Sequence, residues 1–197
     1  MKLIAHRGYW EKKHQQNTYE SIFLGLIFSD GVEIDLRLYQ NKIIISHDSI
    51  KNDYPILYLD AVLPLAKEFP SKIWALNIKE DGLGHQLIKD LRKYPKLKYF
   101  CFDMSFPETY LYLKKKLKIA TRISDIEVEN PFLSKKAIFY VQDSFIKFKK
   151  IETLHKKNIM LISPELHKKK ISKNKIKNLV TDKNLHFLCT DRIADLC

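Results

Sequence analysis

Cysteine is scarce and unpatterned in this sequence: Cys101, Cys189 and Cys197 are the whole complement, with no CxxC and no paired spacing. That excludes a disulfide framework and a cysteine-based zinc site, and it reads as thiols kept reduced in a cytoplasmic setting. Long apolar runs are missing too. No stretch approaches the roughly 20 apolar residues of a membrane-spanning helix, and the apolar run opening MKLIAHRG is too short for a signal peptide. There is no low-complexity segment, no solenoid-type repeat and nothing that looks like a linker, so the 197 residues are expected to form one domain with a sizeable core. Acidic residues are outnumbered, 23 against 35 lysines and arginines, for a formal charge of +12. Such a balance suits an anionic partner, whether nucleic acid, a membrane surface or a phosphate-bearing small molecule. The lysine runs, residues 114–116 and 168–170 among them, are scattered rather than gathered into a basic stripe interleaved with aromatics. This argues against nucleic acid and for helix faces turned to water.

What is present is concentrated in residues 31–48, GVEIDLRLYQNKIIISHD. Val32, Ile34, Leu36 and Leu38 alternate with Glu33, Asp35 and Arg37, the period of a strand with one apolar and one charged face. Two acids and a base on one face are costly to bury unless they bind something. A surface strand would simply leave them solvated, and the alternation alone does not choose between these readings. A second short strand over residues 42–46 would deliver His47 and Asp48 at its end. Glu-x-Asp supplies hard oxygen ligands of the kind Mg²⁺ or Ca²⁺ takes, and a histidine on the same rim can move protons beside the metal.

Along the chain, strand-like and helix-like segments alternate. A buried strand over residues 2–5 stops at His6-Arg7-Gly8, and residues 18–28 read as a helix with Thr18 as N-cap. Helices follow over 58–68, 83–93, 107–116, 147–156 and 171–179. Strands are expected over 73–78, 99–102, 119–122, 137–141, 159–163 and 185–189. The stretch 124–136, with Asn130-Pro131, is irregular and predicts a short or missing helix. Alternation of this kind implies parallel pairing, and about eight such strands make an α/β (β/α)8 TIM barrel, compact, with a small extra hairpin strand after strand two. An open doubly wound sheet is the competing architecture. His6, Glu33 with Asp35, Asn77 with Lys79, Asp103, Arg122, Asp143, Glu165 and Asp191 all fall at or just past strand ends. A barrel gathers such ends on its active-site face, so the coincidence favours the barrel.

His6-Arg7-Gly8, Asn17-Thr18 with Ser21, Gly31-x-Glu33-x-Asp35 and His47-Asp48, in this order, resemble the glycerophosphodiester phosphodiesterase family, within the phospholipase-C-like phosphodiesterases. The resemblance is dense over the first eighty or so residues and returns at Thr190-Asp191-Arg192. It implies a (β/α)8 barrel, one divalent cation (Mg²⁺ or Ca²⁺), and hydrolysis of a small-molecule phosphodiester to a phosphomonoester and an alcohol. Residue by residue, it implies that His6 and His47 are the acid/base pair, that Arg7 and Lys79 bind the phosphate, and that Glu33, Asp35 and Asn77 hold the metal. His14, His85, His155, His167 and His186 read as structural.

Two departures stand out. Gln15-Gln16 replaces the family's proline-glutamate, and Asn77-x-Lys79 replaces glutamate-x-lysine, so the third metal carboxylate is missing. An amide oxygen still ligates a hard cation but adds no charge. Weaker metal affinity, a shift towards Ca²⁺, or help from Glu80, Asp81 or Asp143 all follow from that, as does the alternative of a barrel that binds a phosphorylated ligand without turnover. The chain is also short for the family. Residues 162–167, ISPELH, either line the pocket or serve a helix capped by Ser163. These later loops do not match the usual family, so a leaving group other than that of glycerophosphocholine is expected.

Overall fold

The structure, a computed structural model, describes residues 1–50, 55–124, 139–143, 158–181 and 185–196, with the backbone alone for 139–143 and 158. The expected helix 147–156, the Asn130-Pro131 segment, His155 and the Asp143 side chain lie outside the described residues. Nine strands are described: β1 (Lys2–His6), β2 (Gly31–Tyr39), β3 (Lys42–Ile45), β4 (Ile73–Ile78), β5 (Lys98–Phe102), β6 (Ala120–Ser124), β7 (Phe139–Asp143), β8 (Asn158–Ile162) and β9 (Phe187–Thr190). They form one sheet in the order β5-β4-β2-β1-β9-β8-β7-β6, with β3 attached to β2 as an antiparallel hairpin. Every other strand pairing is parallel. The two ends of that order approach each other: Cys101 and Ile119 form a parallel bridge, and the Cys101 N–H donates to the Lys118 carbonyl at 2.9 Å. The sheet is therefore curled, not open and doubly wound.

Between the strands lie α1 (Tyr19–Phe28), α2 (Leu59–Val62), α3 (Leu65–Glu68), α4 (Gly84–Leu91), α5 (Phe106–Lys114) and α6 (Lys173–Val180). Thr18 caps α1 as its sequence suggested. Its hydroxyl accepts from the Ser21 N–H and its own N–H donates to the Ser21 hydroxyl, each at 3.1 Å, which satisfies two of the first turn's backbone groups. The single helix expected over 58–68 is instead two short ones. Pro64, which has no N–H to continue the ladder, stands at the break. Strands β6, β7 and β9 end one or two residues later than their apolar runs suggested.

Alternation along the strands sorts side chains to two sides of the sheet. Val32, Ile34, Leu36, Trp74, Leu76 and Cys101 pack outward in a core shared with Ile22 and Leu26 of α1. Inward-facing Ile4, Ile73, Phe100, Met160, Phe187 and Cys189 make a second cluster, the plug of the curled sheet. Gly31 belongs to this inner side, and a Cβ there would stand 2.2 Å from the Ile73 carbonyl oxygen, so only glycine lets these strands close at that level. Two residues further along β2 the same inward face presents Glu33, and two further again Asp35, which are 1% and 0% exposed. The charged face of β2 thus points into the protein, and the solvated-strand reading is excluded.

Candidate active site

Strand register brings the site together. Parallel pairing sets His6, the last residue of β1, beside Glu33, and Asp35 beside Asn77, next to last in β4. Glu33 and Asp35 themselves lie within β2 and not at its end as the sequence suggested, because the strand runs on to Tyr39 to pair with β3. Just past β1 the chain turns through Arg7 (φ 55) and Gly8 (φ 87), both in the left-handed region. A Cβ on Gly8 would lie 2.4 Å from the Ser21 backbone, so the turn demands glycine there. The turn aims the Arg7 N–H at Glu33 Oε2, 3.0 Å away, while the Asn17 N–H and the Ser21 hydroxyl both donate to the Arg7 carbonyl. A non-glycine residue in this conformation costs of order 1 kcal/mol or more, and such strain persists where surrounding bonds hold it.

Asp35 is the hub. Its Oδ2 accepts from the Asn17 side-chain amide at 2.8 Å and lies 2.9 Å from Arg7 Nε, an ionic contact off the hydrogen-bonding direction. Its backbone N–H donates back to Asn17 Oδ1, and Lys79 Nζ stands 3.5 Å from its Oδ1. Lys79 also faces Asp103 at 3.9 Å, and Asp103 in turn takes a 2.6 Å bond from Arg122 in the middle of β6. A pair of buried carboxylates would cost several kcal/mol per ion if left alone, and these cations and amides are what hold them there.

His6 joins two carboxylates. Its Nδ1 is 2.6 Å from Asp191 Oδ1 and its Nε2 is 3.9 Å from Glu33 Oε2. An ionised Asp191 requires the proton on Nδ1, which leaves Nε2 turned to the floor of the site. Burial works to lower the His6 pKa, but the Glu33 charge and the Asp191 hydrogen bond and charge outweigh it, against a smaller push from Arg7, and the net shift is upward. Glu33 is also pushed up, by burial first and the Asp35 charge second. His6, Arg7 and the adjacent Asn77 amide pull the other way.

His47 stands apart from this floor. Its ring is 43% exposed and pairs with Asp48, Nδ1 to Oδ1 at 2.8 Å. Among the described residues, no hydrogen bond or ion pair links that ring to His6, Glu33 or Asp35. The His47 backbone is nevertheless tied to the strand that carries the carboxylates, since Arg37 donates twice to its carbonyl, and the Asp48 carboxyl is held low chiefly by the His47 hydrogen bond and charge.

The sequence suggests a divalent cation, and the donor set fits one. Glu33 Oε1, Asp35 Oδ1 and Asn77 Oδ1 are three buried oxygens that accept no hydrogen bond, on adjacent paired strands. Hard oxygens of this kind suit Mg²⁺ or Ca²⁺. Among the described residues no three His, Cys, Asp or Glu side chains gather as a metal cluster. Two of the suggested substitutes for the missing carboxylate are engaged elsewhere. Glu80 accepts from the Leu38 N–H and from Arg37, and Asp81 accepts from the Ser105 hydroxyl.

Other site residues carried little signal in the sequence. Asp103, Arg122 and Glu165 were legible only as strand-end polar residues, and Asn17 and Asp191 only as parts of motifs with no role attached. Ser163 does not cap the short helical turn Pro164–His167 with its side chain; it donates to the Glu165 carboxylate instead. Glu165 also accepts from Thr190 Oγ1 at 2.5 Å, and Thr190 Oγ1 accepts from the Arg192 N–H at 3.1 Å, so the turn carrying Asp191 is tied to β8. His186 is structural as expected, its Nδ1 accepting from the Ile159 N–H.

No protein-family model and no curated protein sequence matches the chain. Solved structures do. An Oleispira antarctica phosphodiesterase in complex with the product sn-glycerol-3-phosphate superposes with a TM-score of 0.73 at 13% identity, covering 100% of this chain and 95% of that one. An Agrobacterium tumefaciens glycerophosphodiester phosphodiesterase gives 0.72 at 13%, covering 100% and 97%. One from Parabacteroides distasonis gives 0.67 at 17%, covering 99% and 94%. Across its whole length the chain has the fold of the glycerophosphodiester phosphodiesterases, with very little sequence in common.

Proposed function

We propose that this protein is a metal-dependent phosphodiester hydrolase of the glycerophosphodiester phosphodiesterase type, built as one domain in a complete (β/α)8 barrel. It would release a phosphomonoester and an alcohol. The observation that carries the proposal is the trio of buried oxygens on Glu33, Asp35 and Asn77 that accept no hydrogen bond, ringed by His6, Arg7 and Lys79. The likeness to solved phosphodiesterases supports it, as does the product held by the Oleispira enzyme.

Glu33, Asp35 and Asn77 would hold Mg²⁺ or Ca²⁺, which when bound polarises a phosphoryl oxygen as a Lewis acid. Arg7 and Lys79 place two cations beside Asp35, where they can neutralise a phosphodiester's charge and stabilise the more negative transition state. His6, fixed by Asp191 with Nε2 inward, exchanges a proton with one oxygen of the reacting phosphate, and His47 at the rim serves the other. The ligand is a small molecule and not nucleic acid. A cytoplasmic location belongs to the same reading, supported by Cys101 and Cys189, which are free and buried.

The test is hydrolysis of a phosphodiester panel, glycerophosphodiesters and nucleotide-linked glycerol included, with Mg²⁺, Ca²⁺ or Mn²⁺ and with chelator, beside His47→Ala. Metal-dependent cleavage lost in the variant is expected. Undiminished turnover by the variant would remove the role of His47. Asn77 favours a second reading, a barrel that binds a phosphorylated ligand without turnover. Ligand-dependent stabilisation with no product would select it.

A further inference from the structure

Arg37 is the third charged residue on the face of β2 that carries Glu33 and Asp35, and its side chain is 18% exposed. Each of its three guanidinium nitrogens donates a hydrogen bond, two of them to one main-chain carbonyl. Nε and Nη2 both donate to the main-chain carbonyl of His47, each at 3.0 Å, and Nη1 donates to Glu80 Oε2 at 2.9 Å. Glu80 is held from its other oxygen, where Oε1 accepts from the Leu38 N–H at 2.7 Å. Meanwhile the Ser46 N–H donates to the Asp35 carbonyl, and the Ser46 hydroxyl to the Asp48 carbonyl. The turn carrying His47 is thus fastened by its backbone to the strand that presents the carboxylates, while its ring extends into solvent beside Asp48.

We propose that Arg37 and Glu80 are positioning residues for His47: the forked bond from Arg37 to the His47 carbonyl, backed by Glu80, sets the height and direction of that imidazole over the carboxylate floor. This rests on the reading that His47 takes part in the reaction. A fork with two donors on one acceptor fixes the carbonyl in plane as well as distance, which a lysine ammonium cannot do. Glu80 restrains the guanidinium from the far side. It also uses up a carboxylate that the Asn77 position would otherwise invite to the metal. An ordinary hairpin-stabilising ion pair is the rival account, and it predicts effects on folding without effects on His47.

The experiment combines Arg37→Lys and Glu80→Gln with His47→Ala, with two readouts. The first is the nitrogen-edited NMR signal of the His47 ring, identified by its loss in His47→Ala, recorded with inorganic phosphate as the probe and needing no turnover. Arg37→Lys is expected to shift or broaden that signal while the His6 signal and thermal midpoint stay near wild type. An unmoved His47 signal overturns the proposal. The second is a kinetic cycle on whichever phosphodiester is cleaved. Arg37→Lys should lower kcat about 10- to 100-fold, as small misplacement of a catalytic group does, with KM nearly unchanged. It should have no further effect in the His47→Ala background. Equal losses in both backgrounds would mean that Arg37 acts elsewhere. If His47→Ala itself retains full turnover, the reading of His47 fails and the ring signal alone decides whether the clamp exists.

Discussion

Replacing Asp191 with asparagine keeps the shape of the His6 contact and removes its charge. The two groups are 2.6 Å apart, and their side chains are 14% and 25% exposed, so solvent screens the pair only in part. A hydrogen bond involving a charged partner contributes about 1.5–3 kcal/mol to stability, against about 0.5–1.5 for a neutral one. The substitution is therefore expected to cost about 1–2 kcal/mol while His6 is protonated, and less once it is neutral, when the carboxylate keeps only the bond from the Nδ1 hydrogen. The pH window follows from the direction of the shift. The folded-state pKa of His6 lies above its ordinary value of 6.5, so the stabilisation is fully present below that value and is lost as pH rises through the folded pKa. Thermal unfolding of wild type and Asp191→Asn, in chelator so that no cation contributes, should differ by about 2–8 °C at about pH 5.5. The gap should narrow as pH is raised through the folded pKa towards about pH 9. A gap of equal size at both pH values would refute the reasoning, because it would mean that Asp191 acts through packing of the turn and not through the imidazolium.

Asn77→Asp restores a carboxylate to the donor set without lengthening the side chain. Calorimetric titration with Mg²⁺ and Ca²⁺ should show affinity raised by about tenfold or more, since ligand charge sets affinity at such sites. Unchanged affinity would place the cation away from Asn77. Gly8→Ala puts a Cβ 2.4 Å from the Ser21 backbone at a φ of 87. It should lower stability by more than about 1 kcal/mol, seen as a reduced midpoint in urea, and a midpoint equal to wild type would show that the His6-Arg7-Gly8 turn relaxes freely.

Much of this architecture was readable one residue at a time because it rests on local periodicity. Period-two alternation marked β2, Thr18 marked the start of α1, and the order of strand and helix implied parallel pairing. Motif residues were visible for the same reason, since His6, Asn77 and Lys79 sit where apolar runs stop and Glu33 and Asp35 interrupt one at every second position. Pro64 shows the limit of a window-based reading, because one missing N–H divided a helix that its apolar spacing supported.

What the sequence by itself determined, then, is which residues face the same way along each strand. Which way that is, toward solvent or toward the inside, was decided only by curling the sheet. Glu33 and Asp35 could have lined an exposed surface; closure at the level of Gly31, where no side chain fits, turned them inward. Tertiary structure alone also chose their partners. Asp191 lies 185 residues from His6, and Glu80 lies 43 from Arg37. No local pattern encodes such pairs, because the energy that selects them exists only once distant strand ends share one low-dielectric floor.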